Sequence, residues 1–314
     1  MRFKHPLKAL APRNRRLLAA TVVVAGLVLL GIVYYLDIAM PRSRALEMVK
    51  ANTPQILALD TSLGQLTVAL NRQRSLSADV KRGGLSGEVA QNVRVNSQSG
   101  QQVAQSALNS ARQIRFVVNS FGNSVGVGWM PVLLGGRQAG FANDYLIGNV
   151  EFWADVDSAL QSQVSLFAYY DAMTPIWRDF MGYDPAVDLS ATLGAGNKEL
   201  AMLRIQRTLA DIDGSIAKSS EIPPPESLLQ IQERWLKGFV VMKALLTEIQ
   251  QYVQAGDFGG ANDRLSLYVS TVKSLQKDLL GTVLTMWDKP VGDAAIRTAD
   301  TTLAGMATFV APSK

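Results

Sequence analysis

An uncharged run of twenty residues, from Leu17 to Leu36, constrains this chain more than any other feature (LLAATVVVAGLVLLGIVYYL). As a helix, twenty residues extend about 30 Å, which is the thickness of the hydrocarbon core of a bilayer. The run has no polar face, which argues against a helix buried in a soluble core. We therefore predict a membrane-spanning helix over residues 17–36. Leu17, Leu27 and Leu36 are expected to contact lipid. Tyr34 and Tyr35 are expected at the interface, where aromatic rings are favoured.

Charge predicts the orientation of this helix. Six basic residues and no acidic residue precede it: Arg2, Lys4, Lys8, Arg13, Arg15 and Arg16. Residues 37–314 carry 25 basic and 26 acidic side chains, so the excess positive charge is confined to the tail. Because basic residues flank membrane helices on the cytoplasmic side, Arg13, Arg15 and Arg16 place residues 1–16 inside and residues 37–314 outside. A nucleic-acid partner is not expected, since the basic patch is not on the folded part.

A cleaved signal peptide is the alternative to an anchor. Its apolar region would span about 7–15 residues and end in a small-x-small site. The present run is longer, and residues 37–41 (DIAMP) make a poor cleavage site. The sequence also has no cysteine, so it has no disulfide and no cysteine for lipid attachment. We predict a single-pass protein of a bacterial cytoplasmic (inner) membrane, with its C-terminal part periplasmic or extracellular.

Helical periodicity indicates a hairpin or stalk over residues 37–120. Thr53 and Pro54 predict a helix start, as an N-cap followed by proline. Apolar residues then recur at spacings of three and four, at Ile56, Leu59, Leu63, Leu66 and Leu70. Gly83 and Gly84 predict the turn, and a second helix begins near Ser86. The seam of that helix is small and polar in its middle, so it needs a partner helix.

A glycine-rich segment, residues 121–142, follows the hairpin, and the overlapping stretch 116–136 contains no charged residue. Three interpretations remain open for residues 116–136. They could form a loop against the core, or an exposed apolar loop that touches lipid or a partner. They could also form a second membrane span, which would return the C-terminal part to the cytoplasm.

Residues 143–314 are predicted to form an antiparallel helical bundle, because short loops join the periodic stretches. Pro175 is expected to interrupt one helix. Asn197 is expected to cap another, which runs to about Ser219. Residues 223–225 (PPP) predict a stiff connector, and Gly256 a turn. No stretch alternates as a strand does, so the predicted fold is all-α.

Catalytic and metal-binding signatures are lacking in the exterior part. The single histidine, His5, lies in the tail, which excludes a Ser-His-Asp triad and a histidine-based zinc site elsewhere. Ser215 and Lys218 form one of three Ser-x-x-Lys pairs, without the partner motifs that such enzymes need. Asp211 and Asp213 faintly resemble a calcium loop whose later ligands are missing. We interpret these residues as solvated helix faces and predict no catalytic, cofactor or metal site.

Tryptophans supply the candidate contacts. Trp153 and Trp235 lie on apolar seams and are expected in the core. Trp129 and Trp177 lie beside prolines, in what the sequence suggests are loops. We predict these two as partner contacts.

The sequence favours a binding role over catalysis. The first hypothesis is a scaffold or accessory subunit of a membrane or envelope assembly, which binds partner proteins or further copies of itself. The alternative is a ligand-sensing exterior domain that works with a separate signalling partner, because residues 1–16 are too few for a signalling domain. An enzyme that uses only carboxylates is the least favoured class.

Overall fold

The computed structural model describes residues 12–35, 39–122, 146, 150–290 and 292–310. These ranges are helical apart from short connections, and no strand occurs in them, which confirms the all-α prediction. Within them, no helix combines the length and the hydropathy needed to cross a membrane. Most of the predicted glycine-rich loop, including Trp129, lies outside the described residues.

Nine long helices are described in these ranges, and one short 3-10 turn (Glu226–Leu228) precedes the seventh. In chain order they are α1 (Pro12–Tyr34), α2 (Met40–Gly83), α3 (Gly87–Gly122), α4 (Val150–Met181), α5 (Pro185–Gly194), α6 (Lys198–Glu221), α7 (Leu229–Ala255), α8 (Phe258–Asp288) and α9 (Asp293–Val310).

Several predicted helix ends are confirmed. The hairpin of α2 and α3 turns at Gly84, whose φ of 72° is the left-handed conformation that glycine tolerates. The side chain of Asn197 accepts a hydrogen bond from the N–H of Leu200 and so caps α6. Residues 223–225 lie in the non-helical connection after α6.

The predicted start at Thr53 is wrong, because α2 begins at Met40 and continues through Pro54. Proline removes one N–H, so the carbonyl of Lys50 loses its helical partner. Lys50 is exposed, which leaves that carbonyl near water. Thr53 donates its hydroxyl to the carbonyl of Val49 at 2.8 Å instead of capping a helix. Buried residues on both sides, including Met48 and Ile56, favour a continuous helix.

The predicted interruption at Pro175 is also wrong, because α4 continues through it to Met181. An internal proline costs about 3 kcal/mol in an exposed helix. Here Met173, Ile176 and Trp177 are buried around it, and each large apolar side chain contributes about 1.5–3 kcal/mol when fully buried. Burial along α4 therefore outweighs the cost of the proline.

The chain divides into two compact units. The smaller comprises Met1–Leu57, Ala111–Ala154 and Ala307–Lys314, and the larger comprises Ala58–Ser110 and Asp155–Met306. In the smaller unit, the described side chains of α1 are largely exposed, while Met48, Ile56 and Ile114 are fully buried.

In the larger unit, two further pairs of packed helices run antiparallel. The helices α2 and α9 are joined by an ion pair of Arg74 with Asp293 and by a hydrogen bond from Arg297 to Asn71. The helices α3 and α4 are joined by an ion pair of Arg94 with Asp171 at 3.0 Å. Residue numbers rise on α2 as they fall on α9, and they do so for α3 and α4 as well, where Arg94 meets Asp171 and Gly100 meets Phe167.

The small, polar seam of α3 allows a close approach to α4. Asn96 is buried and donates its side-chain amide to the oxygen of Gln73 on α2 at 2.9 Å. One turn later, Gly100 faces the ring of Phe167. A Cβ atom at position 100 would lie 2.6 Å from Cζ of that ring. Because Phe167 is itself buried, the ring has no space into which to move.

Replacing Gly100 with alanine tests this contact. Overpacking a core costs about 1–3 kcal/mol, against a gain in helix propensity of up to about 1 kcal/mol. We therefore expect Gly100→Ala to lower the free energy of unfolding, measured by chemical denaturation followed by circular dichroism. The matched control is Gly64→Ala in α2, where no atom lies within 4 Å of the added Cβ and stability should rise. Equal effects of the two variants would contradict the close approach.

Two carboxylates lie near each other between α2 and α9. Burial raises the pKa of Asp60 above its usual value, and the like charge of Asp300 raises it further. Thr67 donates its hydroxyl to Asp300 at 3.3 Å. A carboxyl whose pKa is raised on folding favours the folded state when protonated, and this contribution is lost as pH rises through the folded-state pKa.

Asp60→Asn should therefore stabilise the protein at pH 7, by less than about 1 kcal/mol because the pair is partly exposed. Near pH 3 the side chain at position 60 is neutral in the wild type as well as in the variant, so the difference in stability should vanish. Thermal melts of the wild type and the variant across pH measure the difference. Adding Asp300→Asn to the variant should bring little further gain. A gain that is constant with pH would contradict the electrostatic origin.

Candidate functional site

A cleft of about 390 Å³ opens between the end of α4, one face of α6 and the middle of α7. Its volume lies in the range of small-molecule sites. The cleft has a buried apolar floor and a polar rim. Its lining residues are Asp179, Phe180, Tyr183, Thr208, Ala210, Asp211, Ile212, Gly214, Ser215, Lys218, Phe239 and Met242.

Polar contacts fix the two helices that form the walls. Lys243 on α7 pairs with Asp213 on α6 at 2.6 Å. Near the other end of this helix pair, Gln232 donates its side-chain amide to the carbonyls of Ser219 and Ile222. Between these contacts lies Gly214, where a Cβ atom would meet no other atom within 4 Å. A methyl group would therefore fit at this position, whereas a large side chain would fill the cleft.

The floor belongs to an aromatic cluster in the core. The rings of Phe180 and Phe239 lie 5.3 Å apart, and Trp235 packs edge-on against both at 4.6 and 4.5 Å. Such edge-to-face pairs are favourable beyond the area that they bury. Met242 completes the floor and is almost fully buried. The floor is therefore rigid and apolar.

The rim is formed largely by α6. Asp211, Ser215 and Lys218 follow at spacings of four and three, which puts them on one face of a helix. Among the described residues, neither Asp211 nor Lys218 has an ion-pair partner. Asp179 on α4 differs, because its Oδ1 accepts two hydrogen bonds from the guanidinium of Arg178.

The aliphatic hydroxyl groups of the cleft donate their hydrogens to the backbone of α6. Ser215 donates to the carbonyl of Asp211 at 2.9 Å, and Thr208 donates to that of Arg204 at 3.0 Å. The hydroxyl oxygen of Ser215 keeps lone pairs that can accept a hydrogen bond. The bond from Ser215 runs to the backbone, so the Ser-x-x-Lys pair does not arrange this serine as a nucleophile held by Lys218.

Of the two predicted contact tryptophans, Trp177 does not line this cleft, and Trp129 lies outside the described residues. The prediction that Trp177 is exposed and in a loop is wrong: it lies within α4 and is 2% exposed. Its ring packs against Tyr169 and Tyr170, with centroids 6.0 and 6.4 Å away. Burial raises the pKa of both tyrosine hydroxyls above the usual value, so this cluster is neutral at physiological pH. The predicted core positions of Trp153 and Trp235 are confirmed.

The predicted anchor residues are only partly described. Leu27 is 63% exposed, and Tyr34 and Tyr35 are 59% and 60% exposed. The side chains of Arg13, Arg15, Arg16 and Leu17 lie outside the description, and so does the whole of Leu36.

The sequence predicts solvated helix faces at three residues of the rim, Asp211, Ser215 and Lys218. In the structure Asp211 and Lys218 are exposed, and Ser215 is half-buried. Their common face on α6 was visible in the spacing. The floor was not visible, because Phe180 and Phe239 come from two other helices, α4 and α7.

No group of three or more acidic or histidine side chains in the described ranges is arranged to hold a metal ion. Comparison with protein-family models, with curated proteins and with solved structures found no match to this chain.

Proposed function

We propose that this chain is a single-pass membrane protein whose exterior helical region binds a small ligand in the cleft of α4, α6 and α7. The observation that carries the proposal is the combination of a buried apolar floor with charged side chains at the rim, namely Asp211 and Lys218, that have no ion-pair partner in the described ranges. Such pockets bind small molecules by burying their apolar parts and orienting them with a few polar groups.

The membrane anchor is proposed from the sequence. The apolar run begins at Leu17, ahead of Thr21, the first described side chain of α1, and ends at Leu36. The exposure of the described apolar side chains of α1, such as Leu27 and Leu30, is consistent with contact with lipid.

Cysteine labelling tests this topology, because the chain has no cysteine of its own. Single variants Lys4→Cys, Ser86→Cys and Glu221→Cys would be expressed in spheroplasts and treated with a membrane-impermeant maleimide. We expect labelling at positions 86 and 221 and protection at position 4 until the membrane is opened. Protection at position 221 would indicate a second span, and labelling at position 4 would contradict the orientation.

A ligand screen that follows thermal stability tests the cleft. A ligand that binds only the folded state stabilises it by about 2.7 kcal/mol at a concentration of 100 Kd. This stabilisation raises the melting temperature. We expect the full-length protein in mild detergent to gain stability with a ligand, and Gly214→Trp to abolish the gain by filling the cleft. The matched control is Gly214→Ala, whose Cβ meets no atom within 4 Å and should leave binding intact. A screen in which no compound raises the melting temperature would contradict this role. So would a ligand that raises the melting temperature of Gly214→Trp as much as that of the wild type.

A scaffold role is the second candidate, favoured by exposed apolar side chains. Leu203 on α6 and Val240 and Val241 on α7 are 63%, 59% and 50% exposed. Exposed apolar surface can mark a protein contact.

Under this role, tagged protein purified from its own membranes should bring a stoichiometric partner, identified by mass spectrometry. Val240→Ser with Val241→Ser should release that partner. Val187→Ser on α5, where valine is 74% exposed, is the matched control. Protein that purifies alone would argue against the scaffold role.

A further inference from the structure

We propose that the outer face of the hairpin of α2 and α3 binds the same face of a second copy of this chain. This uncharged face consists of the exposed residues at positions 58–68 of α2 and 91–109 of α3, within the larger compact unit. Every one of these exposed residues is a glutamine, asparagine, serine, threonine, valine or alanine. The face shares no residue with the ligand cleft.

The lack of charge on this face is the first support. Two charged residues occur in these ranges, and each is directed to another helix. Arg94 pairs with Asp171 of α4 at 3.0 Å, and the carboxylate of Asp60 lies near that of Asp300 on α9. By contrast, α6 carries eight charged residues in a length of 24. Because charged side chains are depleted at the centres of protein interfaces, an exposed face without charge favours contact with a protein.

The exposed residues of the two helices form one continuous surface. Ser62, three residues before Gln65, donates its hydroxyl to that of Ser106 at 3.4 Å. Further along the hairpin, Asn96 donates its amide to Gln73 at 2.9 Å. Residue numbers thus rise on α2 as they fall on α3, so that positions 58–68 run beside the stretch around Ser106. A partner can therefore contact both helices at once.

The chemistry of this face suits a copy of itself. In the described ranges, the side-chain amides of Gln65 and Gln102 have no hydrogen-bond partner. An amide both donates and accepts hydrogen bonds, so it can pair with another amide without repulsion between like charges. In a two-fold dimer each patch meets the same patch of the other copy. A charged partner surface would instead lose water at this face without gaining an ion pair.

The size of the face sets the expected strength of the contact. Positions 91–109 extend about 27 Å along α3, and two adjacent helices are about 20 Å wide. A dimer would therefore bury roughly 1,000 Å² over both copies, at the lower limit for a specific interface. Such a dimer is weak in dilute solution. The proposed membrane anchor would confine both copies to one membrane and raise their effective concentration.

Cross-linking of single-cysteine variants of the full-length protein in spheroplast membranes tests the inference, since the chain has no cysteine of its own. Ser106→Cys lies near the middle of the uncharged face, where a two-fold axis brings a residue close to its own copy. With a short bis-maleimide, we expect a product of twice the mass of one chain. Ser266→Cys is the matched control, an exposed serine of α8, and should give little of this product.

Charges placed on the face should separate the two copies. Adding Gln65→Glu and Gln102→Glu to Ser106→Cys should lower the cross-linked product by roughly tenfold or more, because like charges would then face each other across the interface. Adding Gln251→Glu and Gln254→Glu instead, at exposed positions of α7, introduces the same charge elsewhere and should leave the product unchanged.

Three outcomes would overturn the inference. The first is equal cross-linking at positions 106 and 266, and the second is a product that persists when the face carries glutamates. The third is a product that joins this chain to a different protein, because the occupant of the face would then not be a second copy. The use of the anchor in this inference rests on the proposed topology, which the labelling at position 86 tests separately. None of these outcomes bears on the ligand cleft.

Discussion

Apolar burial along α4 is the interaction on which the larger compact unit depends. Phe167 lies against Gly100 of α3, and the ring of Tyr170 packs edge-on against Trp287 of α8. Phe180, near the end of the helix, packs against Trp235 of α7. One helix thus reaches three others through side chains that are almost fully buried. This burial explains why α4 stays continuous through Pro175.

The candidate cleft combines residues of the core with residues of the surface. Its floor consists of core residues such as Phe239, so large changes there would damage folding as well as binding. Its rim consists of surface residues of α6, such as Asp211, that the fold does not need for packing. A site built in this way can change its specificity through the rim while the floor keeps its shape.

Local sequence patterns predict the helices, whereas long-range packing decides whether they continue through prolines and where the cleft lies. The spacing of Ile56, Leu59 and Leu63 identified a buried face, and Asn197 identified a helix start, because both signals act within a few residues. The predicted helix start beside Pro54 and the predicted loop at Trp177 were wrong, because burial outweighs the local effect of proline in both helices. The extent of that burial cannot be read from the sequence. The cleft could not be predicted, since it depends on how side chains of three different helices pack together. The membrane anchor and the orientation remain predictions from hydropathy and charge.

The proline inside α4 has a consequence for how the cleft can act. Pro175 leaves the carbonyl of Asp171 without its helical hydrogen bond, so the last turns of α4 bend more easily than the rest. Those turns carry Asp179 and Phe180, which form part of the cleft wall. A ligand bound in the cleft would contact these last turns of α4, beyond the proline. Its binding would therefore be able to change the direction of this part of the helix, which an unbroken helix would resist.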